Sequence, residues 1–315
     1  MVKKIKPFEE LDIIDDYMAN AAASDPEVGV DFSRTLVEGL LQKSLGENIR
    51  VNIQKAILGS TPMKRGIRMD IEVLEYEGDV FDALPVNVYD VEPNKRDDID
   101  IVKHNRYYQA KIDSRNLQSG EKDFVRLPNL FVMMITNYDP FGYGYMLYTV
   151  HNRCDEVSEL EYDDGLRFLY FNTTGTKGGS EALKRMLAYI QDSKSQNATD
   201  DATQRLHDIV SQVKESPEVR DAYMMWEEKI FYERRDAKEE GRLEGREEGR
   251  EEGREEGREE GREEGREEGR EEGLREERIR AIKKKLEKNK SPEQIADELE
   301  ISVEEVKDYI SLIQG

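Results

Sequence analysis

Apolar and polar residues alternate strictly along Ile67-Arg68-Met69-Asp70-Ile71-Glu72-Val73, the period of a strand with one buried face. A second such run, Pro85-Val86-Asn87-Val88-Tyr89-Asp90-Val91-Glu92, is stopped by Pro93. The turn signal Glu77-Gly78-Asp79 between them predicts a β-hairpin or a pair of neighbouring strands. Upstream, Leu36, Val37, Leu40 and Leu41 recur at helical spacing before Gly46, so residues 28 to 58 read as a helix and a following segment. Downstream, a polar helix over 100 to 116 is expected to bury Tyr107, Tyr108 and Ile112. Three more strands are expected at Leu130 to Thr136, Gly144 to Val150 and Leu166 to Phe171. Helix, strands, helix, strands fits an α/β or α+β sandwich around a central mixed sheet.

From Ser180 onward the pattern is helical. Ser180 can cap a helix to about Asp192, residues 202 to 214 carry an apolar stripe (Leu206, Ile209, Val210, Val213), and Ser216-Pro217-Glu218 opens another helix. That helix carries Tyr223, Met224, Trp226, Ile230 and Phe231 and runs into a repeat. In the last 40 residues, Ser291-Pro292-Glu293-Gln294 and Ser302-Val303-Glu304-Glu305 both have the spacing of a capping box. They outline three short helices at about 275–288, 292–299 and 303–313. The organisation expected is a core over 1–180, a helical extension over 181–240, a repeat spacer over 241–273 and a trihelical module over 274–315.

Composition sharpens this division. The charged fraction, 37%, equals the apolar fraction, and residues 236 to 290 hold almost no apolar positions, so one real core is expected before a solvated region. The net charge is −22. Seven tandem Arg-Glu-Glu-Gly units from Arg246 to Gly273 contribute −7 of it, which leaves −15 elsewhere. Such a balance opposes general phosphate binding and asks for a local basic cleft or divalent metal if nucleic acid is the target. Cys154 is the single cysteine, which excludes an internal disulfide, and His104, His151 and His207 show no metal-ligand spacing. No window approaches the ~18 apolar residues of a membrane span, so a soluble cytoplasmic protein is expected.

Chemistry is concentrated on the two alternating strands. Carboxylates on adjacent strands can meet over one ion, and Asp90, Glu92 and Asn94 share one strand face by their spacing. Asp70 and Glu92 are the candidate metal ligands, for Mg²⁺ or Mn²⁺. Taken alone, an aspartate on an alternating strand is ordinarily a solvent-facing residue, and Asp90 has a structural alternative as the partner of Arg68 or Lys95.

The ordered series Gly66-Ile67-Arg68-Met69-Asp70-Ile71, a spacer with Gly78, and Tyr89-Asp90-Val91-Glu92 resembles the core motif of the recombination-promoting nuclease family, the PD-(D/E)XK nuclease family transposases. The likeness continues through Arg106-Tyr107-Tyr108, Ile112-Asp113, Leu127-Pro128, Asp139-Pro140-Phe141-Gly142 and Asn152-Arg153-Cys154, covering roughly residues 20 to 240. It implies a restriction-endonuclease-like fold, metal-dependent DNA cleavage and a role in recombination or mobile elements. By position, Asp70 and Glu92 become the motif carboxylates. Asn94 stands where the motif has lysine, which this family often replaces by glutamine. Glu38 is a candidate for the helical acidic residue of related nucleases, and Arg106 a candidate phosphate contact. An amide at Asn94 can orient water or a phosphate oxygen but brings no positive charge.

Glycine at every fourth position of the repeat costs about 1 kcal/mol each relative to alanine. The accompanying Glu–Arg pairs return roughly 0.2–0.5 kcal/mol apiece. Alone in water the repeat is expected to be largely unfolded, and its role to be that of a spacer. The terminal module resembles a helix-turn-helix, but Glu304, Glu305 and Asp308 outnumber Lys307 on its last helix. A protein-interaction or self-association module therefore suits it better than a DNA reader. The leading expectation is a metal-dependent DNA endonuclease. Its rivals are a degenerate nuclease fold that binds nucleic acid or protein, and a structural hub built on the C-terminal helices.

Overall fold

Six strands form one mixed open sheet, flanked by helices and followed by a long helical region. The computed structural model describes residues 6–57, 67–78, 84–97, 100–116 and 123–314. The strands are β1 (Ile49–Ile57), β2 (Ile67–Glu75), β3 (Asn87–Asn94), β4 (Asn129–Thr136), β5 (Leu147–Val150) and β6 (Leu166–Asn172), in spatial order β1-β2-β3-β4-β6-β5. The β1–β2, β2–β3 and β5–β6 pairs are antiparallel, and β3–β4 and β4–β6 are parallel. The helices are α1 (Asp16–Ser24), α2 (Gly29–Leu41), α3 (Ile101–Asn116), α4 (Glu181–Gln191), α5 (Asp201–Glu215), α6 (Pro217–Leu286), α7 (Pro292–Leu299) and α8 (Val303–Gln314).

Strand periodicity divides the sheet into two chemically different faces. One presents Ile71, Val73, Tyr89, Val91, Met133, Ile135, Leu169 and Phe171 to α1, α2, α4 and α5. The other presents Leu74, Val88, Leu130 and Val132, which pack with Ile112 of α3. Along that second face apolar residues give way, toward the C-terminal end of β3, to Asp90, Glu92 and Asn94, all buried.

Several elements depart from the sequence expectation. The segment after α2 is a strand, β1, paired with β2 from Ile49↔Glu75 to Ile57↔Ile67. A further helix, α1, precedes α2; a Cβ at Gly29 would lie 2.2 Å from the carbonyl oxygen of Ala23, so glycine is what lets α2 start against the end of α1. Strand β3 does not stop at Pro93. The β2–β3 register runs from Ile71↔Val91 to Glu75↔Asn87, and Pro93, which has no N–H to donate, pairs with Ile135 of β4. Tyr107 is exposed rather than buried, because α3 turns Ile101, Asn105, Ile112 and Asn116 inward instead. The Glu77-Gly78-Asp79 turn lies partly outside the described residues, as does the Gly66 end of the first motif.

The chain divides into two compact units, Met1–Lys229 and Ile230–Gly315. The first ends well beyond residue 180, because α4 and α5 bury Leu183, Met186, Leu187, Leu206 and Val210 in the same core as the sheet. Ser180 caps α4 as expected, accepting the Leu183 amide at 3.0 Å. In the second unit Ile282, Ile295, Ala296 and Val306 form a small core. Ser291 and Gln294 close a reciprocal capping box, whereas Ser302 accepts the Glu305 amide at 3.1 Å and the Glu305 carboxylate turns to Arg278 at 2.9 Å. Among the described residues no helix is long and apolar enough to cross a membrane.

Candidate functional site

The antiparallel register sets Asp70 of β2 next to Glu92 of β3, one step beyond the Ile71↔Val91 pair. The Asp70 amide donates to Oε1 of Glu92 at 3.2 Å. Glu72 and Asp90 are direct partners in the same register and are both fully buried. Glu72 is well satisfied: it accepts from Asn52 Nδ2 at 2.7 Å and is paired with the Arg115 guanidinium from α3. Asp90 is not. Neither of its carboxylate oxygens has a hydrogen-bond partner among the described residues. Lys95, one of its two expected partners, pairs with Asp15 at 2.6 Å, and the Arg68 side chain lies outside the described residues.

Electrostatics follow from that geometry. Burial, then Glu72 and Asp70, push the Asp90 carboxyl well above the usual range, and Arg115 only partly opposes them. Glu92 is raised likewise, by burial first and then by Asp90 and Asp70, with the Asp70 amide pulling the other way. A carboxylate that the sequence reading missed joins them from α1. Asp16 is pushed up to about 6 by the protein packed around it, then by Asp70 and Asp15. Its helix is anchored where it starts. Asp15 stands at its N-cap position, where its carbonyl accepts the Met18 amide at 2.9 Å and its carboxylate accepts from Lys95 and from Lys6 at 3.1 Å, so the end of β3 is tied to the start of α1. Burial opposes ionisation of Asp15, but the Asp12 amide and Lys95 hold its carboxyl below the usual range.

The other expected residues are distributed as follows. Asn94 is buried on the Glu92 face, and its Oδ1 accepts the Arg96 amide at 2.7 Å, which commits the oxygen to a turn at the end of β3. Glu38 has its own structural partners, the Leu45 amide at 2.8 Å and Arg34 at 3.3 Å. The helical carboxylate beside Asp70 is thus Asp16. Arg106 is exposed on α3. The sequence does carry one signal for α1, since Met18, Ala19, Ala22 and Ala23 recur at helical spacing, but nothing local sets Asp16 against β2.

The donor set is all oxygen, which suits a hard cation such as Mg²⁺ or Mn²⁺. Among the described residues no group of three His, Cys, Asp or Glu side chains is gathered into a ready metal cage. Mg²⁺ usually needs less than that, one or two protein carboxylates completed by water and substrate phosphate. The unpartnered oxygens of Asp90, beside Asp70 and Glu72, add a local demand for positive charge. The residues present therefore fit a two-carboxylate Mg²⁺ site. Comparisons with protein-family models, with curated proteins and with solved structures found no match to this chain.

Proposed function

We propose that the first unit is a metal-dependent nuclease core of the PD-(D/E)XK, restriction-endonuclease-like type that cuts DNA with Mg²⁺ or Mn²⁺. One observation carries this reading: Asp70 and Glu92 meet across β2 and β3, with buried Asp90 beside them, at the C-terminal end of β3. Asp70 and Glu92 hold the cation. When bound, it supplies charge to the developing phosphate oxyanion and acidifies an attacking water. The Asp70 amide fixes the orientation of Glu92 before any ligand arrives. Asn94, with its oxygen committed to Arg96, has its amide N–H left to offer, a donor suited to a phosphate oxygen. Exposed Arg106 is available to a second phosphate. The motif series supports a role in recombination or mobile elements, and the single cysteine suits a cytoplasmic setting.

The C-terminal helices serve self-association in the same proposal. Some of their basic side chains are engaged within the unit: Arg278 pairs with Glu305, and Lys285 and Lys290 with Glu298. Leu312, by contrast, is exposed on α8. A second reading, a degenerate nuclease fold that binds DNA or protein, draws on Asn94, which brings no charge where the motif has lysine. Supercoiled-plasmid nicking separates the two, using wild type, Asp70→Asn, Glu92→Gln and Asn94→Ala with Mg²⁺ or Mn²⁺ and an EDTA control. The enzyme reading expects nicking by wild type, none by the two carboxylate variants, and a loss of about 10²-fold in Asn94→Ala. Undiminished nicking by either carboxylate variant overturns it. Salt-dependent DNA binding without cleavage by wild type establishes the degenerate fold instead.

A further inference from the structure

A cleft of about 960 Å³ opens beside Asp70, between α1 and the start of α6. Five carboxylates line it: Asp16, Asp25, Glu27, Asp70 and Glu218. No lysine or arginine stands among the described residues that line it. A phosphate-bearing chain laid along this cleft meets like charge on every side, so its natural occupant has the opposite sign.

The rest of the lining narrows the choice. Trp226 and Tyr17 supply an aromatic wall, their rings 5.6 Å apart, and Trp226 is 40% exposed toward solvent. Tyr223 stacks behind the indole at 5.5 Å and fixes its plane. A partly exposed indole attracts an organic cation and also covers methylene groups, whereas a bare metal ion makes little use of it. Asn20 points the same way by an independent route. It lines the cleft, is 7% exposed, and donates from Nδ2 to the Asp16 carbonyl at 2.8 Å, while its Oδ1 has no hydrogen-bond partner among the described residues. A buried acceptor without a donor asks for an N–H group. Carboxylates, an aromatic face and an unmatched acceptor together describe a site for charged N–H donors carried on an apolar chain.

We propose that this cleft binds a flexible alkylammonium chain, of the kind found in aliphatic polyamines and in lysine side chains. The site is separate in chemistry from DNA cleavage and does not require it. Because Asp70 belongs to both, an occupant of the cleft places positive charge next to the candidate metal carboxylates.

Trp226 is the only tryptophan of the chain, so its emission reports on this cleft directly. The full chain is titrated at constant ionic strength with spermidine, and separately with an acetylated tetralysine peptide, against NaCl as control. A saturable change in Trp226 emission is expected, and it should be about five- to tenfold weaker in affinity in the Glu27→Gln/Glu218→Gln double variant, which removes two rim charges. Response to spermidine alone assigns a small polyamine, and response to the peptide alone assigns a lysine of a protein partner. No saturable response to either, equal affinity in the double variant, or the same response to NaCl overturns the proposal. Circular dichroism of the double variant confirms that its fold is intact. The measurement uses no nuclease activity, so its failure leaves the reading of Asp70 and Glu92 standing.

Discussion

The Asp70 amide and Glu92 Oε1, 3.2 Å apart, bind one candidate metal carboxylate to the backbone that carries the other. Glutamine keeps an oxygen at that position, and alanine leaves the amide without its acceptor. Glu92→Gln is therefore expected to be more stable than Glu92→Ala by about 1–3 kcal/mol, the usual cost of an unmatched buried donor. Urea denaturation of the two variants in EDTA measures it. Equal stabilities would show that this bond holds nothing in place.

Asp90 carries the opposite expectation. It is fully buried, neither oxygen has a described partner, and Glu72 and Asp70 crowd it with like charge. Asparagine has the same shape without the charge. Asp90→Asn should stabilise the metal-free protein at a pH where the carboxylate is ionised, because it takes an uncompensated charge out of the core. A less stable Asp90→Asn protein in EDTA would mean that the carboxylate has a partner worth more than its desolvation.

Asp16 gives a pH dependence with a definite sign. Its folded value, about 6, lies above the ordinary 3.8, so folding favours its protonated form. Well below that ordinary value both states are protonated and the carboxyl carries no penalty. As pH rises through the window between the two values the unfolded chain releases the proton first, and stability falls. Asp90 and Glu92, raised in the same direction by burial and neighbouring carboxylates, contribute with the same sign. Thermal melts in EDTA should thus show wild type losing stability from pH 4 to pH 6 relative to Asp16→Asn. Lys95, Asp15 and Asp70 face the same carboxyl, and all three are unchanged in that comparison. A constant difference across the window would refute the assignment.

The repeat tests the cost of glycine in a helix. Helix α6 runs unbroken from Pro217 to Leu286, and a Cβ on any repeat glycine from Gly249 to Gly273 would meet nothing within 4 Å. Alanine therefore fits every one of these positions and should favour the helix by about 1 kcal/mol each. A peptide of residues 242–273 is expected to show low helicity by circular dichroism, and its Gly→Ala counterpart high helicity. Strong helicity in the native peptide at room temperature would show that its ion pairs outweigh the glycines.

The sequence by itself determined what depends on neighbours a few positions away. Period-two alternation placed β2 and β3 and put Asp90, Glu92 and Asn94 on one face, since a strand's side chains must alternate. Ser180 and Ser291 marked helix starts because a cap bonds an amide three residues on. Strand β1 reads in the sequence only as a segment after the helix, since its identity as a strand comes from its pairing with β2. Only the tertiary structure decided that Asp16 stands beside Asp70, that Lys95 reaches Asp15, and that Glu38 turns to Arg34 and Leu45 instead. It also decided that Tyr107 faces solvent while Asn105 is buried, though both lie on one helix. The rotation of a helix about its axis, and the approach of groups 50 to 80 positions apart, are set by which surfaces pack to exclude water, and no local pattern of residues encodes that choice.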